Sequence, residues 1–250
     1  MMKETLPPTQ NILLGAIPES ELDLLLRGSK IVALEDKQLI CAQEESIEAV
    51  YFPLSGAISL LIKTSEGNAV EGAVAGLQGF FGIPLLLESD TSFAEAIIQV
   101  PGQAVRIPAA LFKEKSRAAP QLTRILLRYA QFFYKESFIS IGCNRFHSSE
   151  QRIARWLLEH RERTGRDVFP FTHEFMAYML GAQRSTVSEA TGDLQRKGVI
   201  RCNYGEMTVT DRAGLEKVSC ECYDKVRQAL LAFLAFVDTV RAGTSSVRHP

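Results

Sequence analysis

Gln183, Arg184, Ser185, Thr186, Ser188 and Glu189 gather an amide, a guanidinium, hydroxyls and a carboxylate into seven consecutive positions. Side chains of these types make hydrogen bonds to the base edges and phosphates of duplex DNA. Val187, Ala190 and Leu194 recur among and after them at helical spacing, which marks one buried face of a helix. Gln183, Arg184, Ser185, Ser188 and Glu189 then fall on the outer side, and that face has the shape to enter a major groove.

The residues on either side supply what such a helix needs. Thr172 can cap a preceding helix and counts among the DNA-contacting candidates. Met176 and Leu180 sit one turn apart on its inner face, Ala177 is small where a second helix must approach, and Gly181 supplies the turn. The stretch from Thr172 to Ala190 therefore reads as a helix-turn-helix. Two packed helices of any α-rich domain are the alternative, and the following residues argue against it. Gln195-Arg196-Lys197-Gly198 ends the second helix with cations and a glycine. Val199-Ile200-Arg201-Cys202 and Met207-Thr208-Val209-Thr210 then alternate like paired strands around Asn203-Tyr204-Gly205-Glu206. A hairpin placed directly after a recognition helix is a wing, which ends near Asp211.

A chain of 250 residues with 46% hydrophobic residues is long enough for two folded units. Met1 to Pro8 shows no basic and apolar signal pattern, and the run from Ala229 to Val237 is too short to span a bilayer. Five cysteines fit a reducing compartment better than a disulfide framework, so a cytoplasmic location and no membrane partner are expected. The net charge is -1, yet residues 145–212 hold 11 Lys and Arg against 9 Asp and Glu. This excess is small, so the nucleic-acid reading rests on layout and not on bulk charge. Arg145, Arg152, Arg155, Arg196, Lys197 and Arg201 are candidates for phosphate contacts.

Upstream, Ala49–Phe52, Gly56–Ile62, Ala69–Val74, Ala96–Val100 and Ala104–Ile107 read as short strands, with a turn at Ser65-Glu66-Gly67-Asn68. They predict an antiparallel sandwich or roll, preceded by a short helix from Glu19 to Leu26. Between Pro120 and Cys143, Leu122, Ile125, Leu126, Tyr129, Phe132, Phe133, Ile139 and Cys143 recur every three or four positions, with Glu136 interrupting. They predict a long amphipathic helix whose stripe pairs with a second copy of itself; covering the roll is the other use for such a stripe. Arg145 to Glu150 breaks the helix, and Gln151 to Arg163 resumes it.

The whole layout resembles the Crp/Fnr family, the bacterial regulators named for the cyclic-AMP receptor protein and the fumarate and nitrate reduction regulator. The resemblance is carried by Ala177, Gly181, Arg184, Thr186 and Val187 in the helix-turn-helix, and by Asn144 to Arg152 at the junction. Asp211 to Glu216 and Cys220-Glu221-Cys222-Tyr223 look like the tail of a subgroup with generally undefined effectors. It implies an α+β fold: an N-terminal antiparallel β-roll over 1–117, a dimerisation helix over 118–145, and a winged helix-turn-helix with a helical extension over 146–250. It further implies a homodimeric transcription regulator that binds double-stranded DNA, with RNA polymerase as a further candidate partner. Arg184 matches an arginine that contacts guanine in the family, a role that bidentate bonds to O6 and N7 would explain. Ser185 and Glu189 depart from the family's acidic and arginine positions, so its usual half-site does not carry over. Glu189 could accept from a cytosine amino group or steer a neighbouring arginine.

The effector region departs further. Cyclic-nucleotide binders of the family carry an arginine for the phosphate, whereas no arginine lies between Arg27 and Arg106 here. Cyclic AMP is therefore not the expected effector. Phe80, Phe81, Gly82, Ile83 and Leu85 either line an apolar pocket for an unknown small molecule or fill the core of a roll that serves as a structural or protein-contact platform. Only Cys41 lies in the first 142 residues, against an N-terminal iron–sulfur centre. Cys220 and Cys222 could share a metal, but two thiolates without a second pair make a weak site, and nothing in the spacing of Cys143 or His147 recommends haem. No metal and no cofactor are expected. None of His147, His160, His173 and His249 lies among the strands, which removes a cupin-type metal enzyme. Neither a P-loop nor a nucleophile elbow is present, and enzymatic activity is not expected.

Overall fold

A computed structural model describes residues 7–245; Met1 to Leu6 and His249 lie outside the described residues. The described elements run α1 (Glu19–Leu26), β1 (Lys30–Leu34), β2 (Leu39–Cys41), β3 (Ala49–Lys63), β4 (Ala69–Ala75), α2 (Ile83–Leu86), β5 (Glu95–Pro108), α3 (Ala109–Arg117) and α4 (Pro120–Phe146). There follow α5 (Ser149–Thr164), β6 (Val168–Phe169), α6 (His173–Leu180), α7 (Arg184–Arg196), β7 (Ile200–Asn203), β8 (Glu206–Val209), α8 (Arg212–Val218) and α9 (Glu221–Ser245).

The N-terminal sheet is antiparallel in the order β1-β5-β3-β4, with β2 also on β5. Four of the short strands expected from the sequence are two long ones. Ala49–Phe52 and Gly56–Ile62 belong to β3, and Ala96–Val100 and Ala104–Ile107 belong to β5. The pairing survives the apparent breaks because the register shifts between Pro53 and Ile58 and bends both strands together. Gly56 makes the bend possible: it stands at φ 79°, and a Cβ there would lie 2.3 Å from the Val100 carbonyl oxygen. The bend rolls the sheet around Val50, Phe52, Leu54, Ile58, Ile98, Val105 and Ile107, all buried.

In α4 the stripe of Leu122, Ile125, Leu126, Tyr129, Phe132 and Phe133 is buried within the chain. Its partners are the roll and α9, where Ala229, Leu230, Phe233, Val237 and Val240 join the same core at helical spacing. Phe132 stacks on Phe233 with ring centroids 5.8 Å apart, and Tyr129 meets the same ring at 5.8 Å. Two sequence expectations change here. The stripe expected to meet a second copy is covered by the chain itself, because a second amphipathic helix competes for it. The helical extension, placed with the DNA-binding unit in the sequence, keeps Tyr223 in that unit's core and from Ala229 onward packs along α4.

Another stripe on α4 stays open. Leu127, Tyr134, Phe138 and Ile141 are 48%, 64%, 58% and 65% exposed and follow one another at spacings of seven, four and three. Such spacing keeps side chains on one seam of a helix.

A second core joins the roll to the C-terminal unit. Ala57, Leu61, Val74, Ile97 and Val100 of the roll pack with Trp156, Leu157, Phe169, Phe171, Met179 and Leu180. α5 begins at a capping box in which Ser148 and Gln151 bond each other's backbone N–H.

Candidate nucleic-acid interface

Thr172 opens α6 by accepting a bond from the Phe175 N–H at 3.1 Å. Gly181 closes it in the left-handed conformation at φ 57°, ψ 43°. Its bare Cα also admits the roll, since a Cβ there would be 3.3 Å from the Ala69 carbonyl oxygen. The chain then re-enters helix at Arg184. Met176, Leu180, Val187, Ala190 and Leu194 are buried against one another and against Trp156 and Met207. Apolar spacing alone thus fixes which face of α7 points outward.

Gln183, Arg184, Ser185, Ser188 and Glu189 are exposed on that outer face, with Thr186 half-buried beside them. Arg184 and Glu189 enter no ion pair among the described residues, which leaves a guanidinium fork and a carboxylate available. Ser188 has an internal partner: its hydroxyl lies 3.0 Å from His173 Nδ1, while Thr191 Oγ1 lies 3.1 Å from His173 Nε2. His173 therefore ties α6 to α7. The sequence reading gave it no role, since a histidine at the start of a helix carries no distinctive spacing.

The wing forms from β7 and β8, paired in register from Ile200 with Val209 to Asn203 with Glu206. Tyr204 at its tip is fully exposed, with φ 43° before Gly205 at φ 81°. β6 adds a third strand through Val168 with Thr208 and Phe169 with Met207; two residues are too short to announce a strand by alternation.

The cations expected to meet phosphates divide. Arg145, Arg196 and Arg201 are exposed, and Arg196 pairs with Asp193 on its own helix. Lys197 pairs with Glu150. Arg152 donates to the Leu180 carbonyl at the end of α6. Arg155 is buried, donating to Ser140 Oγ at 3.2 Å and facing Glu159 at 3.4 Å. Arg155 is thus withdrawn from any phosphate role: a guanidinium on the inner face of α5 is used to satisfy buried carboxyl and hydroxyl groups.

Beneath this surface, a buried polar network spans the two units. Trp156 Nε1 donates to Glu71 Oε1 at 2.7 Å, and Ser59 Oγ donates to Glu71 Oε2 at 2.6 Å. Arg163 donates to Glu136 at 2.6 Å. Burial pushes the Glu71 carboxyl up to about 8 and the His160 imidazole down to about 3. Both groups are therefore neutral near pH 7.

In the roll, Phe80, Phe81, Ile83 and Leu85 are buried in the main core, and Phe80 stacks on Phe52 at 5.2 Å. Beside Phe80 to Ile83 there remains a cavity of about 10 Å³, the size of one water site. A larger apolar cavity of about 230 Å³ lies elsewhere, between Ile62, Val70, Ala73 and Phe93 of the roll and Phe133 and Ile141 of α4. No local pattern announces it, because its walls come from strands and a helix far apart along the chain.

At the far end of α4 the structure brings together cysteines that spacing alone had kept apart. Cys143 and Cys220 have their sulfurs 3.5 Å apart, and Cys222 Sγ lies 3.7 Å from His147 Nδ1. Cys143 and His147 thus stand beside Cys220 and Cys222, although 77 and 75 residues separate them along the chain. The Cys143–Cys220 hydrogen bond moves the two thiols in opposite directions, Cys143 upward and Cys220 downward.

A rolled antiparallel sheet, a long helix and an exposed recognition helix backed by a wing define a DNA-binding regulator with a nucleotide-binding-type roll. Residues 151–218 match the sequence profile of the Crp-like helix-turn-helix domain, and residues 31–118 match that of the cyclic nucleotide-binding domain. The chain is 27% identical over 179 residues to the transcriptional regulator SdrP of Thermus thermophilus, an alignment covering 69% of this chain and 84% of that one. The cyclic AMP receptor protein of the same organism is 25% identical over 209 residues, covering 82% and 94%. FixK2 from Bradyrhizobium japonicum shares the fold, with a TM-score of 0.65, 17% identity, and coverage of 77% of this chain and 98% of that chain. The chain belongs to the Crp/Fnr family of transcription regulators. Among the described residues, no helix is long and apolar enough to cross a membrane.

Proposed function

We propose that the chain acts in the cytoplasm as a homodimer that reads a twofold-symmetric DNA site without cyclic AMP. The observation that carries this reading is the pairing of two exposed surfaces. The outer face of α7 presents Gln183, Arg184, Ser185 and Glu189, and the open seam of Leu127, Tyr134, Phe138 and Ile141 on α4 offers a twofold contact. Two recognition helices related by that seam would engage successive major grooves. Arg184 reads base edges; Thr172, Thr186, Arg201 and the wing position the unit on the backbone. Ser188 contributes less than its position suggests, because His173 holds its hydroxyl. RNA polymerase is the further partner through which such a dimer would act.

Rejection of cyclic AMP rests on charge. The apolar cavity between roll and helix has Glu71 on its wall and no arginine, so nothing in it compensates a cyclic phosphate. With Phe80, Phe81, Gly82, Ile83 and Leu85 packed as core, this favours the roll as a platform, and a small apolar effector is the second reading.

Selection of bound sequences from a random duplex pool, using purified protein without added ligand, tests the proposal. Enrichment of a twofold-symmetric motif supports it. A motif without symmetry removes the dimer, and enrichment only in the presence of cyclic AMP removes the effector argument.

A further inference from the structure

Four metal-binding side chains meet where α4 ends and α9 begins. Cys143 lies in the last turn of α4, His147 caps that helix, and Cys220 and Cys222 flank Glu221 at the start of α9. One ligand atom from each lies within 4.8 Å of the others. The three cysteines are buried and the His147 side chain is 15% exposed.

The separations fit a single tetrahedral ion. Arms of about 2.3 Å to sulfur and about 2.0 Å to nitrogen give edges of about 3.8 Å between sulfurs and about 3.5 Å between sulfur and nitrogen. The observed 3.5 Å between Cys143 and Cys220 and 3.7 Å between Cys222 and His147 are close to these edges. Apolar packing of thiols would explain buried cysteines. It would not explain an imidazole turned with Nδ1 toward a sulfur.

The surroundings complete the pattern. His147 Nε2 lies 3.1 Å from Glu221 Oε2, so a carboxylate can hold the ring with its Nδ1 lone pair facing the sulfurs. Three thiolates and one divalent ion leave a net negative charge, and Arg155 is buried close enough for its charge to act on all three sulfurs. This gives Arg155 a use on the inner face of α5.

We propose that Cys143, His147, Cys220 and Cys222 form a closed Cys3His zinc site that fastens the start of α9 to the hinge between α4 and α5. Sulfur-rich tetrahedral coordination selects zinc among common divalent ions, and four protein ligands leave no open position, so the site is structural. The hinge it fastens, His147 and Ser148, joins the long helix to the DNA-binding unit.

Metal analysis of the full-length chain, purified under reducing conditions without chelator, tests this, together with cobalt titration of chelator-stripped protein. About one zinc per chain is expected, and cobalt should give the charge-transfer and ligand-field bands of tetrahedral thiolate coordination. Cys41→Ser and Cys202→Ser should keep both signals, and Cys222→Ser should lose them. Glu221 is exposed, so Glu221→Gln tests the site without threatening the fold; zinc affinity should fall about 10- to 100-fold. A wild-type chain that holds no zinc and gives no cobalt bands overturns the proposal. So does recovery of iron with sulfide, which would mean a cluster, or a Cys143–Cys220 disulfide that forms despite saturating zinc.

Discussion

Trp156 of the DNA-binding unit donates its indole N–H to the buried carboxyl of Glu71 in the roll at 2.7 Å. The bond crosses the boundary between the two units inside a core they share, so a donor from the DNA-binding unit holds a titratable side chain of the roll. The folded chain keeps the Glu71 proton up to about pH 8, whereas the unfolded chain releases it near 4.5. Folding takes up that proton between these values, and stability therefore falls as pH rises through them. Glu71→Gln keeps the acceptor for Trp156 and removes the titration. Chemical denaturation at pH 5 to 8 should show a flatter dependence in this variant than in the wild type; equal slopes would assign the pH effect elsewhere.

Replacing Arg184 by Ala should weaken binding to the selected site by about 1–3 kcal/mol and relax preference at one base pair of each half-site. Fluorescence anisotropy with the selected duplex and single-base variants measures both. Loss of affinity that is equal for all sequences would make Arg184 a phosphate contact.

Arg201→Ala on the wing should behave in the opposite way. Affinity should fall uniformly across sequences, and the slope of log K against log salt should drop by about one. An unchanged salt slope would take Arg201 out of the interface.

The two faces of α4 should separate oligomeric state from stability. Ile141→Glu places a charge on the open seam and is expected to give a folded monomer by analytical ultracentrifugation, with an unchanged circular dichroism spectrum. Phe233→Ala leaves the seam intact but empties the space against Phe132 and Tyr129. It should cost about 3–5 kcal/mol in denaturant unfolding and leave the dimer formed. A dimer that survives Ile141→Glu would move the interface to another surface.

Local patterns determined much of this protein from its sequence. Thr172, Met176, Gly181, Val187 and Leu194 fixed the helix-turn-helix, because cap, turn and buried spacing are properties of neighbours along the chain. The outward face of α7 followed from the same spacing. Periodicity also gave α1 and the length of α4, and alternation gave the wing. What only the tertiary structure decided is which elements cover which. Phe132 and Tyr129 read as a dimer stripe until α9 was seen to occupy it, since an amphipathic pattern states that a face is buried but not by what. Pro53 to Ser55 hid the continuity of β3, because a bulge reads as a break. Arg155 read as a surface cation and proved to be buried. Cys143 and His147 stand 77 and 75 residues from their partners Cys220 and Cys222, and no spacing rule joins groups that meet only when two helix ends pack.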